Sequence, residues 1–375
     1  MSDAIPTEAE TGRALREWGA DPSAREAILE LLRKTQAGHA DPDRFARDVR
    51  WPLVKALLGA EGAHRIVLEN GLVFELRTDS RVDKAALLGL EERPDHVWEP
   101  QTTRLLTMLA AGARHVIIGG AYVGDQALPV ALTLAATDPA GVVHAFEPMA
   151  STHDRLLRNI ALNRLDNILP HRAALWDEDG VRLVVEGEQA LAGAVPVAGL
   201  GRAATAPAGS VESITIDSYL RERSIDAVQV IMLDTEGGEE RALRGALGQL
   251  DRPFPQAPAV VFEIHRDHVD WTVGLERTPI VRLLAERGYR VFAIRDFQSN
   301  RDMRGSPIEV VPVDRVWLEG PPHGFNLFAS KNPSAVDDLG LVIVPDVSPK
   351  YLVHKDPALH HPRGGFPSRS CGERP

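Results

Sequence analysis

Acidic residues, a histidine and a glycine-rich turn stand at the ends of apolar runs through the middle of this chain. His115 to Ile118 passes at once into Gly119-Gly120-Ala121-Tyr122-Val123-Gly124-Asp125, which opens an Ala/Leu-rich segment. A second run, Val142 to Phe146, stops at Glu147, and later runs stop at Trp176-Asp177, Asp217, Asp234-Thr235-Glu236 and Glu263-Ile264-His265. The first stretch reads as strand, tight turn and helix. In open parallel sheets ligands bind beyond the C-terminal ends of the strands, so these groups are placed to converge on one pocket. Gly120 and Gly124 can take backbone angles closed to other residues and admit a ligand close to the main chain. Glu147 stands where such folds hold a ribose by its hydroxyls. A nucleoside-containing cofactor is therefore expected, touched by Gly120, Ala121, Tyr122, Gly124, Asp125, Glu147, Asp177 and Asp234.

Two cofactor classes fit that layout. Written as G-x-A-x-x-G, the turn is similar to a degenerate nicotinamide fingerprint, in which a pyrophosphate sits on the helix N-terminus. Asp125 at the helix entrance is better matched to an ammonium or a ribose than to a diphosphate at the positive end of the dipole. For acid–base chemistry the leading candidate is His265, an imidazole directly after a strand that titrates near neutral pH. Asp234 is the second, as base or as orienter of the histidine, with Glu236 beside it. Asp234, Glu236 and His265 could also offer oxygen and nitrogen ligands to a divalent cation, but no fixed ligand spacing marks a metal site and none is predicted.

The surrounding elements are arranged to position these groups. Residues 8 to 37 have helical spacing, with Pro22 opening a second helix. His64 to Leu76 alternates around Asn70-Gly71, the signal of a hairpin with a two-residue turn. A helix from about Thr102 leads into the strand at His115, and a helix from about Ser151, capped by Ser151 or Thr152, follows Glu147. Ile168 to Leu175 reads as one strand, and residues 187 to 210, rich in Ala, Gly and Pro, as a loop or lid. Val211 to Ile216, Ala227 to Leu233, Ala259 to Ile264, Tyr289 to Ile294, Val310 to Trp317 and Asn326 to Ser330 continue the pattern. Strands separated by helices imply an α/β fold with a mostly parallel sheet covered on both faces. The expected organisation is a small α+β domain over 1–95, a main domain over 96–332 and a Pro/Gly-rich flexible tail over 333–375, whose His354, His360 and His361 read as solvated.

Composition sets outer limits. The 375 residues carry a net charge of -11, which argues against nucleic acid as the main partner. The single cysteine, Cys371, permits no intrachain disulfide. The first residues lack a basic-then-apolar signal pattern, and no apolar stretch reaches the roughly 20 residues that span a bilayer. A cytoplasmic protein with a small-molecule partner is expected, with the N-terminal region available for substrate choice or homo-oligomerisation.

Taken together, IIGGAYVGD, AFEP with the following L-x-x-N-x-x-x-N, ITIDSYL, MLDTEGGEERALRGA, VFEIH and the late RGY resemble the FkbM-type S-adenosylmethionine-dependent methyltransferases. The resemblance covers about residues 100 to 330. It implies a Rossmann-like methyltransferase sheet, S-adenosylmethionine as cofactor, and methyl transfer to a hydroxyl of a sugar, glycoside or natural-product intermediate. Three positions depart from the family pattern. Ile118 replaces an aspartate, Tyr122 an asparagine, and Met232 a lysine two residues before Asp234. The acid beside the cofactor's amino acid portion is thus absent at 118, and Asp125 is the group placed to compensate. A non-catalytic binding module and a nicotinamide-dependent oxidoreductase are the competing readings.

Overall fold

The computed structural model describes residues 7–59, 62–186, 193–196, 209–318 and 324–351. Most of the expected lid, and His354, His360 and His361, lie outside them. The chain divides into two compact units, residues 1–100 with 299–304, and residues 101–298 with 305–375.

In the smaller unit α1 (Glu8–Ala20) begins with a capping box between Thr7 and Glu10. Asp21 then accepts from Ser23 N (2.8 Å) and Ala24 N (3.2 Å), so α2 (Pro22–Ala37) starts at the proline as expected. Next come α3 (Pro42–Phe45), a π-helical turn (Ala46–Arg50) and α4 (Trp51–Leu58). Strands β1 (Ala63–Val67) and β2 (Val73–Arg77) pair antiparallel, followed by α5 (Arg81–Leu87). The hairpin connection is longer than two residues: Leu68 N bonds Leu72 O, and within it Gly71, not Asn70, has a positive φ of 86°. A turn closed by one left-handed glycine, rather than a pair, explains the extra length. Buried Arg50 donates to the carbonyls of Leu87, Leu88 and Gly89, satisfying the end of α5. Arg304 pairs with Glu69 and Glu91, and the side-chain amide of Asn300 with the carbonyls of His96 and Val97, which is how segment 299–304 belongs here.

The larger unit takes all but the first residue of α6 (Pro100–Ala110). It alternates β3 (His115–Gly119), α7 (Ala127–Thr137), β4 (Val142–Phe146), α8 (Ala150–Asn163) and β5 (Ile168–His171). A small second sheet contains β6 (Ala174–Leu175), β7 (Arg182–Glu186), β8 (Gly193–Pro196) and β9 (Ser210–Ile214). The chain continues through α9 (Ile216–Glu222), β10 (Val230–Leu233), α10 (Glu239–Arg244), α11 (Leu247–Leu250), β11 (Ala259–Ile264), α12 (Pro279–Ala285), β12 (Arg290–Ile294), β13 (Glu309–Pro312), β14 (Phe325–Ser330), α13 (Ala335–Asp338) and β15 (Val342–Ile343).

The main sheet has nine strands in the order β15-β13-β12-β14-β11-β10-β3-β4-β5. Its half from β5 to β11 is entirely parallel, and β14 runs antiparallel between β11 and β12. All four residues of β10 are buried, and alternate ones, Ile231 and Leu233, join one core cluster with Ile117, Phe146, Val260 and Phe262. Val230 and Met232 face the other way and are equally inaccessible, so both faces of the sheet are covered, which is why these strands read as unbroken apolar runs. From β3 the chain builds outward to β4 and β5, then returns to β3's other side with β10 and β11. The reversal lies between β3 and β10, and crevices for ligands form at such switch points.

Three expectations are corrected. The run Ile168 to Leu175 is two strands, β5 in the main sheet and β6 in the small one, because the chain leaves the sheet at Arg172-Ala173. Val310 to Trp317 is strand only to Pro312, whose backbone nitrogen cannot extend the ladder. Residues 335–351, assigned to the tail, instead build α13 and β15, and β15 adds a parallel edge to β13. Asp296 fixes this region, accepting from the first helical N–H groups of α6, Gln101 (3.1 Å) and Thr102 (2.7 Å), while its backbone pairs with Pro349 and Tyr351. Among the described residues no helix is long and apolar enough to cross a membrane.

Arg295 and Glu309 form a buried ion pair of 2.6 Å, and the Tyr351 hydroxyl donates to the same Glu309 oxygen at 2.7 Å. Arg295→Met leaves that carboxylate buried without its cation and should cost about 3 kcal/mol or more, read as a lower urea midpoint, while Arg295→Met/Glu309→Leu recovers most of the loss.

Candidate active site

The glycine turn follows β3 at the switch point. Gly120 N and Ala121 N both donate to Phe146 O at 2.9 Å, and Asp234 N donates to Gly119 O at 2.9 Å, so the ends of β3, β4 and β10 are tied by the main chain. A Cβ at Gly120, where φ is 76°, would overlap the Asp234 carbonyl, and one at Gly124 would overlap Leu128. These glycines were expected to admit a cofactor. On the side where a Cβ would stand, the space is filled by the protein itself.

Glu147 is 6% exposed. Its Oε2 accepts from Tyr122 N (2.8 Å), and its Oε1 from Met149 N (2.9 Å) and the Thr152 hydroxyl (2.7 Å). Neither Ser151 nor Thr152, of which one was expected to, caps α8; Met149 holds that position without a side-chain bond. Burial outweighs these bonds and pushes the Glu147 carboxyl up to about 7. A carboxylate has about four acceptor positions, so one remains for a ligand hydroxyl. Tyr122 is held at a φ of 45°, in the left-handed region that asparagine tolerates better than tyrosine. The Arg155 guanidinium lies 5.7 Å from its ring centroid.

Across the switch point, the carboxylates of Asp234, Glu236 and Glu263 bring one oxygen each within 4.8 Å of one another. Burial, then Glu236, Glu239 and Asp125, push the Asp234 carboxyl well above the ordinary range, and a hydrogen bond with Glu263 opposes them. Asp125, ahead of α7, thus adds its charge to the field at Asp234. The loop 235–237 is shaped by Glu239, whose Oε1 accepts from Thr235 N (2.7 Å) and Gly237 N (3.2 Å), leaving Glu236 at a φ of 52°. Positive φ at Tyr122 and at Glu236, on the two sides of the switch point, is the kind of stored strain that gathers at functional sites.

The set of groups that could hold a cation differs from the one anticipated, with Glu263 where His265 was placed. His265 Nδ1 accepts from Asp267 N at 3.1 Å, so Asp267, not Asp234, fixes its ring, and the neutral imidazole carries its proton on Nε2. Asp177 is in an ion pair with Arg241 (2.6 Å) beyond β6 of the small sheet. Asp217 lies inside α9, its Oδ2 bonded to Gly248 N (2.7 Å), and is no part of the rim. Glu239 and His268 went unassigned in the sequence. The acid at 239 was visible in DTEGGE, but nothing local distinguished a loop organiser from a solvated helix residue. The His268 ring packs against Gly237, and its Nε2 lies 4.0 Å from Glu236.

Two of the family departures are neighbours. Ile118 and Met232 are register partners on β3 and β10, each 1% exposed. Where the resembling family's pattern carries an acid and a lysine, this chain has two apolar side chains side by side, so no buried charge is stranded.

Residues 119–291 match the family model of the methyltransferase FkbM domain. No curated protein matches the chain. Among solved structures, TYW2 of M. jannaschii in complex with AdoMet is 13% identical with a TM-score of 0.35, covering 72% of this chain and 85% of that one. TYW2 of P. horikoshii in complex with MeSAdo is 16% identical (TM-score 0.35, 74% of each chain). The O-methyltransferase from Bacillus cereus in complex with SAH is 13% identical (TM-score 0.33, 62% and 81%). The glycine turn, the carboxylate at 147 and the Asp234 loop all fall within residues 119–291, the part of the chain that matches the methyltransferase FkbM domain.

Proposed function

We propose that the protein is an S-adenosylmethionine-dependent O-methyltransferase acting on a hydroxyl of a sugar, glycoside or natural-product intermediate. The observation that carries this reading is the convergence of Gly120, Glu147 and Asp234 at the switch point of an FkbM domain. The donor set suits that cofactor. Glu147 keeps one acceptor position for a ribose hydroxyl, while Asp125 and Asp234 suit an ammonium and would repel a diphosphate. When bound, the cofactor supplies an electrophilic methyl group and leaves as a neutral thioether.

The protein has to align the acceptor and remove its proton. Burial and the charges of Glu236, Glu239 and Asp125 hold the Asp234 carboxyl well above the ordinary range, and its hydrogen bond with Glu263 opposes them. Asp234 is the base in this reading: its carboxylate oxygen takes the hydroxyl proton, and the raised affinity for protons makes it stronger than an exposed carboxylate. The Nε2–H of His265 orients the acceptor oxygen. Asp177, held by Arg241, takes the adenine side.

Titration calorimetry should show binding of S-adenosylhomocysteine and none of NAD; the reverse would overturn the reading, and silence with both would favour a non-catalytic module. Glu147→Gln should weaken S-adenosylhomocysteine about tenfold or more. Its carboxyl titrates near 7 when folded against 4.5 otherwise, so its stabilising share is present below pH 4.5 and lost as pH rises through 7. The fall in Tm between pH 5 and 8 should therefore flatten in Glu147→Gln.

Asp234→Asn should lower kcat about a hundredfold or more while the cofactor Kd moves only a fewfold. Activity should survive EDTA; loss restored by magnesium would make the trio a metal site. Ile118→Asp alone strands a buried carboxylate and should destabilise by about 3–5 kcal/mol, with part recovered in Ile118→Asp/Met232→Lys, measured by chemical denaturation.

A further inference from the structure

Beyond the tip of β11 lies a cleft of about 830 Å³ that the cofactor reading does not use. We propose that it is the acceptor subsite and that it takes an uncharged polyhydroxylated ring, not a phosphorylated or carboxylated one. The proposal rests on the methyltransferase reading above and adds to it the location and charge class of the acceptor.

The order of strands decides the side from which the acceptor comes. Glu147 at β4 marks the ribose, the turn after β3 the centre, and Asp234 at β10 the reacting end. Neighbouring strands are about 4.8 Å apart, so the next position along the rim, one strand beyond Asp234, is the tip of β11. There His265 O accepts from His268 N (3.0 Å) and Val269 N (2.9 Å), turning the chain into the loop that walls the cleft. His268, which lines the cleft, packs on Gly237 and approaches Glu236, so the inner end of the cleft adjoins the carboxylates of the rim.

The lining sets the ligand class. Trp317, only partly buried, supplies indole surface on which the C–H face of a sugar ring packs, Trp271, 8% exposed, borders the cleft from the core, and Thr272, Asp267 and Asp270 supply groups that bond hydroxyls. Asp267 and Asp270, with Glu236 nearby, outnumber the one fixed cation, Arg266, so a phosphate or carboxylate entering would be repelled. The volume lies within the range of about 300–1,000 Å³ common to small-molecule sites.

The test is fluorine NMR on the full chain labelled with 5-fluorotryptophan, the signals assigned with Trp271→Phe and Trp317→Phe. The ligands are methyl glycosides of glucose, galactose, mannose and rhamnose, then glucose 1-phosphate and glucuronate, each with and without S-adenosylhomocysteine. Saturable movement of the Trp271 and Trp317 signals with at least one methyl glycoside, at least tenfold weaker with the anions, is expected. Asp267→Lys/Asp270→Lys should reverse that preference. Movement with the anions at equal strength in the unaltered protein, or with none of the glycosides, overturns the proposal. Glycoside binding with S-adenosylhomocysteine silent would leave the cleft a sugar site and remove the methyltransferase reading instead.

Discussion

The contact on which the rest of the site depends is made by main chain alone. The Asp234 carbonyl lies where a side chain at Gly120 would have to go, and Phe146 O receives two N–H groups from the turn. Any side chain at 120 would force β3 and β10 apart at the point where the sheet reverses. That would move Glu147 and the Asp234 loop independently, since each hangs on one of these bonds. The glycine serves the joint between strands, and the ligand site follows from the joint.

Holding the joint closed concentrates charge. Two ionised carboxylates with oxygens within 4.8 Å of each other repel by about 3 kcal/mol or more at an effective dielectric near 20. The fold answers locally: Asp234 and Glu263 share a hydrogen bond, while Glu239 spends its oxygens on the backbone of 235–237. One strand layer below, the chain carries no charge at all, because Ile118 and Met232 occupy the paired positions on β3 and β10. At this joint the acids thus stand at the strand ends, with apolar side chains in the paired positions of β3 and β10 beneath them.

Much of this was legible in the sequence because parallel strands buried on both faces appear as unbroken apolar runs with abrupt ends. β11 was expected at Ala259 to Ile264 and is found there, and the glycine turn and Glu147 meet as the spacing implied. What escaped reading is non-local. Ile118 and Met232 are far apart in the chain, so their partnership shows only in the register of β3 and β10. The division of residues 168–175 between two sheets leaves the alternation unchanged and therefore no trace. Asp217 sits at the end of an apolar run like the true rim acids, but the run had already turned into α9. His265 looked like a base because a histidine after a strand is exposed to the pocket, and only the bond from Asp267 N shows which nitrogen carries the proton.

The placement of charge also bears on turnover. A rim crowded with fixed carboxylates has its repulsion relieved by a cation and not by a neutral molecule of the same shape. On the proposed reading, the methyl donor brings an ammonium and a sulfonium to Asp125 and Asp234, and transfer removes the sulfonium charge. Part of the attraction is therefore lost once the methyl group has left, while the contacts at Glu147, at the far end of the nucleoside, are unchanged. A site with its acids spread evenly would hold both forms alike. On that reading, gathering acids at β10, with Glu147 on the β4 side, would make the reacting end the one that senses whether the methyl group is still present.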